Sequence, residues 1–555
     1  MHTMTHAREP IDVDHCREAR PMTESRGTAT IAAGPAAGAP SFSLSTRLSA
    51  RDAFLLNAVF VVGLLVLSQL PWLDQRTVVR GSIVGAAVVL LAWSALLFGV
   101  LLRGQQVALE VVLRRQHYLQ ACLQGTLIVY WGYYWPEVYH AAPLILAQLL
   151  FAYGFDSLLS WTHRRKFALG FGAFPIVFSI TLFFWFKDPW FYWQFVMVAI
   201  GLAAKEFLRW QRDGVNTHIF NPSSFPLAVV SVALLLTDST DMTWGFLVAQ
   251  TEFYPPLIYL AVFLVALPGQ YLFGVAPMTI AAVGTTFLFS AIYHAVTGSY
   301  YFVDSHVPIA VFLGMHLLFT DPATSPRSEL GRIFFGVLYG LSTVLLYDLL
   351  LSVNTPGFYD KLLQVPLLNL SVVLLDRLAR SPKWKAIDPA AWGRALLPRR
   401  RHLAYMGVWA AGFGAMSASG HLGDDHPGQW TPFWEQACAA DKREACLNLY
   451  FLHDTNCADG SPWACNETGI LLAERFGNPA RAAAAFARAC TQQFAAACDN
   501  AAALARGGAL RHDPPTAVDY PFILRGSKGP LRERDPAKLR ARACELGWPS
   551  ACVSG

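Results

Sequence analysis

Two stretches decide how this chain is read: PIVFSITLFFWFKDP, Pro175 to Pro189, and PIAVFLGMHLLFTDP, Pro308 to Pro322. Each opens on proline, runs through apolar residues and closes on Asp-Pro, and the second lies 133 positions after the first. The same offset carries Phe186 onto Phe319 and Asn221 onto Asn354. It also lays five successive apolar segments onto the next five. A unit of five crossings is odd, so its second copy would enter a bilayer upside down, as in inverted-repeat membrane proteins.

Outward from these stretches, the composition agrees with a membrane chain. Of 555 residues, 54% are apolar and only 15% charged, and the mean hydropathy is +0.36. Ordinary soluble domains carry about 25% charged residues. Net charge is +5, with no basic stripe interleaved with aromatics, so nucleic-acid binding has no support. A bilayer crossing needs about 20 mostly apolar residues. Thirteen candidates follow: 53–72, 81–102, 117–135, 141–161, 168–186, 191–204, 219–237, 255–273, 276–295, 306–319, 333–352, 362–376 and 403–419. With the N-terminus inside, cytoplasmic loops hold 19 Lys and Arg and outside loops 4. That asymmetry predicts thirteen crossings, the N-terminus cytoplasmic and the C-terminus outside.

Around this body, residues 1–50 read as a disordered cytoplasmic arm without a secretory signal. Residues 51–116 supply two crossings and an amphipathic segment, Gln105 to Arg115, expected to lie in the interface. Residues 117–380 form the inverted-repeat domain, 381–420 a basic linker and the last crossing, and 421–555 a separate tail. The seventh and twelfth candidates look short or interrupted, at Phe225 to Thr237 and at Pro366, and matching short spans point to a midplane site.

Two motifs face the cytoplasm in this topology. In HIFNPSS, His218 to Ser224, Asn221 suits a helix cap and Pro222 a first helical position. Free N–H groups and hydroxyls of Ser223 and Ser224 would then attract an anion; plain capping is the rival reading. In TDPATSPR, Thr320 to Arg327, Asp321-Pro322 and Ser325-Pro326 each read as cap and helix start, with Thr324 between them and Arg327 adding charge. Asn221, Pro222, Ser223, Ser224, Asp321, Thr324, Ser325, Arg327 and Asn354 are therefore the candidate ligand or ion site, with Asn221 and Asp321 expected close together. Asp156, His294, His316 and Asp348 are further polar groups within spans. Haem held by His294 and His316 is disfavoured, because the two lie near opposite faces. No metal site or catalytic triad is expected from spacing.

At HIFNPSSF and TDPATSPRSELGRIFFG the chain resembles the membrane subunits NqrB and RnfD of sodium-translocating NADH:quinone reductases and Rnf complexes. It resembles still more their relatives in enediyne biosynthesis. The resemblance spans about residues 117 to 380 and implies ten helices in two inverted five-helix units, similar to urea transporters. Redox members of that family attach FMN to Thr in a Ser-Gly-Ala-Thr string. Here the corresponding segment is TDSTDMTWG, Thr237 to Gly245, and that context is missing around Thr240 and Thr243. Covalent FMN is not expected; non-covalent flavin stays open.

Eight of the ten cysteines fall in the tail, as four pairs eight apart: Cys438/Cys446, Cys457/Cys465, Cys490/Cys498 and Cys544/Cys552. Eight residues of straight helix cover about 12 Å, whereas a disulfide needs Cα atoms about 5.5 Å apart. Each pair can close only across a turn. Zinc is the rival, weakened because zinc pairs sit two to four residues apart. AFARACTQQFAAACDNAAALA and RARACELGWPSAC resemble cysteine-rich Sel1-like repeats, which implies stacked helix pairs that bind protein partners. The second cysteines are 19, 33 and 54 residues apart, so the first unit is short and the last carries an insertion near Pro514 to Pro536.

The sequence thus predicts an all-α membrane bundle with a helical-repeat tail, in a bacterial inner membrane, the tail periplasmic and oxidised. A redox or accessory membrane subunit is the first functional expectation. A small-solute channel or transporter is the second, and a scaffold acting through its repeats the third.

Overall fold

A computed structural model describes residues 40–101, 107–353, 359–394, 396–442, 444–526 and 533–552. Besides the short helices Glu137–His140, Gly245–Thr251 and Pro389–Trp392, the described body contains thirteen helices, each overlapping one predicted apolar segment. They are α1 (Ala50–Leu67), α2 (Thr77–Leu101), α3 (Arg115–Tyr134), α4 (Ala142–Arg164), α5 (Ala173–Phe183), α6 (Tyr192–Phe207) and α7 (Ser224–Leu236). Then follow α8 (Ile258–Phe273), α9 (Ala276–Thr297), α10 (Ile309–Leu313, continued by a π turn to Leu318), α11 (Glu329–Ser352), α12 (Asp360–Ala379) and α13 (Pro398–Ala418). Five of them, in α2, α4, α9, α11 and α12, are long and apolar enough to cross a membrane. Four more, α5, α7, α8 and α10 with its π turn, are apolar but shorter. Large apolar side chains point outward along this body: Leu236 is 82% exposed, Val296 79% and Leu96 73%. Soluble proteins do not sustain such a surface.

The helix pairing repeats. In the first five-helix set α3 packs on α5, α4 on α6, and α6 on α7. In the second, α8 packs on α10, α9 on α11, and α11 on α12. Each is the same pair moved along by one set. Across the joint, α3 meets its counterpart α8 and α7 meets its counterpart α12. The α9–α11 seam is close because Gly336 and Gly340 sit one turn apart on α11. A methyl group at Gly336 would come within 2.2 Å of the Met278 carbonyl oxygen.

Three expectations change. The body is not wholly helical: β1 (Pro40–Leu48) pairs antiparallel with β2 (Val107–Arg114), and β2 pairs in parallel with β3 (Lys166–Leu169). The segment expected as an interfacial helix is therefore a strand, and the last residues of the supposedly disordered arm are its partner. Residues 1–39 lie outside the described residues. A hairpin, β4 (Arg209–Arg212) with β5 (Val215–His218), leads into the first motif. Finally, α12 runs unbroken through Pro366, so the short helices in matching places are α5 and α10, not α7 and α12.

The described tail contains α14 (Thr431–Ala439), α15 (Ala445–Asp459), α16 (Pro462–Glu474), α17 (Pro479–Thr491), α18 (Ala495–Arg506), α19 (Pro536–Glu545) and α20 (Pro549–Cys552), with a short helix at Tyr520–Ile523 between α18 and α19. All four predicted cysteine pairs are bridged, with Cα atoms 4.5 to 4.8 Å apart. The same turn closes every pair. The residue three beyond the first cysteine has positive φ: Asp441, Gly460, Gln493 and Gly547. The N–H one residue further donates to the carbonyl just before that cysteine: Lys442 to Ala437, Ser461 to Asn456, Phe494 to Ala489 and Trp548 to Ala543, at 2.9 to 3.2 Å. This is a helix-ending left-handed cap, and it folds the next helix back within disulfide reach. The late insertion is anchored through Asp519, which accepts from Ser461 Oγ and the Trp463 N–H at the start of α16.

Candidate functional site

The structure brings the two predicted motifs together at the joint between the five-helix sets. Asn221 caps α7: its Oδ1 accepts from the N–H groups of Ser223 and Ser224 at 2.9 and 3.1 Å, and from Ser223 Oγ at 2.8 Å. Its Nδ2 donates to the Leu318 carbonyl at 2.8 Å, and its own N–H donates to Asn369 Oδ1 at 3.1 Å. Asn369 Nδ2 in turn reaches the Thr324 carbonyl. Pro222 presents its carbonyl to Gly201 of α6, where a methyl group would lie 2.2 Å away. The N–H groups of Ser223 and Ser224 are thus both bonded to the Asn221 side chain. These are bonds of the capping kind.

Most of the second motif is bonded within the protein in the same way. Asp321 accepts from the Ala323 N–H and Thr324 Oγ1, and lies 3.3 Å from His218 Nε2. Burial pushes its carboxyl up, but His218 and these donors outweigh burial and hold it below its ordinary value. Arg327 donates its N–H to Asp376 and its guanidinium to Asp213. Ser325 is buried, with a hydroxyl that has no partner. Asn354 lies outside the described residues.

The residues that hold this joint most firmly escaped the sequence reading. Asp376 of α12 accepts from the N–H groups of Arg327 and Ser328, from Ser328 Oγ, and from Arg212 Nη2 at 2.6 Å. Arg212 and Asp376 are both buried. The available signal was a carboxylate near a helix end facing a basic hairpin, but only the fold shows that they meet. Of the other polar groups, Asp156 lies 3.8 Å from Lys205, and Asp348 is engaged. His316 Nδ1 bonds the Phe312 carbonyl at 2.6 Å and its ring faces Trp409, whereas His294 faces His306 and His421. The two do not share one site.

A cavity of about 360 Å³ lies elsewhere, among α3 to α6 and the turn after α1. Its walls include Trp135, Trp185 and Trp244, the Arg76–Asp188 ion pair, Glu137, His140, Gln148 and Gln194. The Trp135 and Trp185 rings stack with centroids 5.4 Å apart. Trp185 is held because its neighbours pair like strands: Trp244 N–H donates to the Trp185 carbonyl, and Lys187 N–H to that of Met242. Thr243 sits in this pairing, and its hydroxyl accepts from the Gly245 N–H. Gln194 is fully used by Phe184 and Phe186. Gln148 is 3% exposed, and its Oε1 is buried without a partner. Such an orphan acceptor costs about 1–3 kcal/mol unless a ligand or water meets it. A glutamine inside an apolar segment was the signal that could have found this site. No known family model matches the chain, and no curated protein or solved structure matches it.

Proposed function

We propose that this protein is a membrane-embedded redox or accessory subunit, similar in organisation to NqrB and RnfD. It holds a flat ring ligand in the tryptophan-lined cavity and presents its disulfide-bonded tail to a partner protein outside. The observation that carries this reading is the stacked Trp135–Trp185 pair beside the orphan Gln148 oxygen. Tryptophan faces suit a planar conjugated ring, and one acceptor suits a ring N–H or O–H. Non-covalently bound flavin, with its ring N–H, fits both. The repeated helix pairing supports two inverted five-helix units. With the loop charges it supports thirteen crossings of a bacterial inner membrane, the N-terminus inside and the tail in the periplasm.

The test is the visible spectrum of the protein purified in mild detergent. A flavin band that is released by acid, leaves no fluorescence on the denatured chain and is lost in Gln148→Leu supports the reading. A ligand-free protein with an unchanged variant removes it. A second reading, a small-solute channel, is favoured by α5 and α10, two short apolar helices in matching places. Solute flux into liposomes, abolished by a bulky residue at Thr181 in the cavity wall, would support that reading instead.

A further inference from the structure

Three histidines meet where the tail joins the body. His306 lies in the loop before α10, and His421 and His426 follow α13. One ring nitrogen from each lies within 4.8 Å of the others. His306 and His426 are buried, and His426 Nε2 is 3.3 Å from His306 Nδ1. The His306 and His421 rings stack with centroids 4.5 Å apart. Backbone contacts hold them there: His306 N–H donates to the His421 carbonyl, and Ser290 Oγ to that of His306. A fourth ring, His294, stands 5.9 Å from His421 by centroids. Nδ1 of His421 and Nδ1 of His294 are buried with no hydrogen-bond partner. The rest of the shell is aromatic, from Phe287, Tyr300 and Phe433.

We propose that His306, His421 and His426 bind a first-row divalent transition ion of the zinc–copper class, tying the start of the tail to the body. All-imidazole donors select such ions over magnesium or calcium, which need oxygen. At metal–nitrogen distances of about 2.0–2.1 Å, neighbouring nitrogens of a tetrahedral site are about 3.3 Å apart. His426 and His306 already stand at that separation. His421 must move inward, and His294 is placed to follow as a fourth ligand. One contact must also give way. Gly428 N–H now donates to His426 Nδ1 at 3.1 Å, and ligation through Nε2 would move the proton onto Nδ1.

The experiment uses the full chain, purified without a histidine tag and stripped with EDTA, then titrated with Co²⁺ and with Zn²⁺. The expected result is one ion per chain, intense tetrahedral cobalt bands that zinc abolishes, and slower proteolysis between α13 and α14. His421→Asn and His426→Asn should each weaken cobalt binding by at least about tenfold, while His512→Asn in the tail leaves it unchanged. Peptide mapping of the four disulfides checks that the variants fold. Should they misfold, the unmutated protein decides alone: tetrahedral bands at one ion per chain uphold the site. Weak octahedral bands, no stoichiometric binding, or equal binding by folded variants would overturn it.

Discussion

Asn221 shows how much one side chain carries in this body. It caps its own helix and bonds two elements of the other five-helix set, through Leu318 and Asn369. Removing a cap costs about 1 kcal/mol, and each buried group left unpaired adds about 1–3 kcal/mol. Asn221→Ala should therefore lower stability by ~2–4 kcal/mol, read as an earlier midpoint in SDS titration of the solubilised protein. Ser223→Ala, which removes one hydroxyl bond, should cost under ~1.5 kcal/mol. In the tail, burial first and Glu467 second push the Glu435 carboxyl up to about 7. Folded chains then hold a proton that unfolded chains lose from about pH 4.5 upward. Tail stability should fall as pH rises between about 4.5 and 7, by ~3 kcal/mol at most. His512, raised chiefly by its hydrogen bond to Glu467, adds a loss of the same sign above its ordinary value. Glu435→Gln should therefore raise the melting temperature at about pH 8 and leave it nearly unchanged at about pH 4.5. An equal shift at both would assign the effect to packing.

Among the elements, what the sequence revealed depended on how local the cause was. The disulfides were legible because a bridge eight residues long forces a turn, and the cap that makes the turn lies within those eight residues. By the loop-entropy relation each bridge contributes ~2–3 kcal/mol. The double change Cys490→Ser with Cys498→Ser should thus destabilise the α17–α18 hairpin by about that amount. Hydrogen exchange of the intact protein should quicken there and stay unchanged in α14. The strand β2 was not legible. Its Val-rich run has no local turn to mark it, and its partners arrive from residues 40–48 and 166–169. The continuity of α12 through Pro366 was open in the sequence, because membrane helices accept proline when neighbours satisfy the freed carbonyl. The motifs drew attention as candidate sites, yet apart from the Ser325 hydroxyl their buried polar side chains are taken up by bonds within the protein. The unpartnered acceptor in the cavity wall is Gln148 Oε1, which no motif marks.

At the scale of the whole molecule, body and tail are joined by specific contacts. Leu257 N–H donates to Asp424 at 2.8 Å, Gln429 reaches the Asp304 carbonyl, and Tyr300 packs with Trp434 beside Cys438. The tail therefore rests on the loops that follow α9 and precede α8, which lie outside in the topology proposed above. Disulfides persist in that compartment and are rare in the cytosol, so pairing and topology make one joint claim. Digestion of spheroplasts with a membrane-impermeant protease tests it most directly, followed by non-reducing peptide mapping. The account predicts that the tail is removed and that its peptides carry the four local pairs, Cys438–Cys446, Cys457–Cys465, Cys490–Cys498 and Cys544–Cys552. A protected tail with free thiols would contradict the topology, the bridges and the outside partner together.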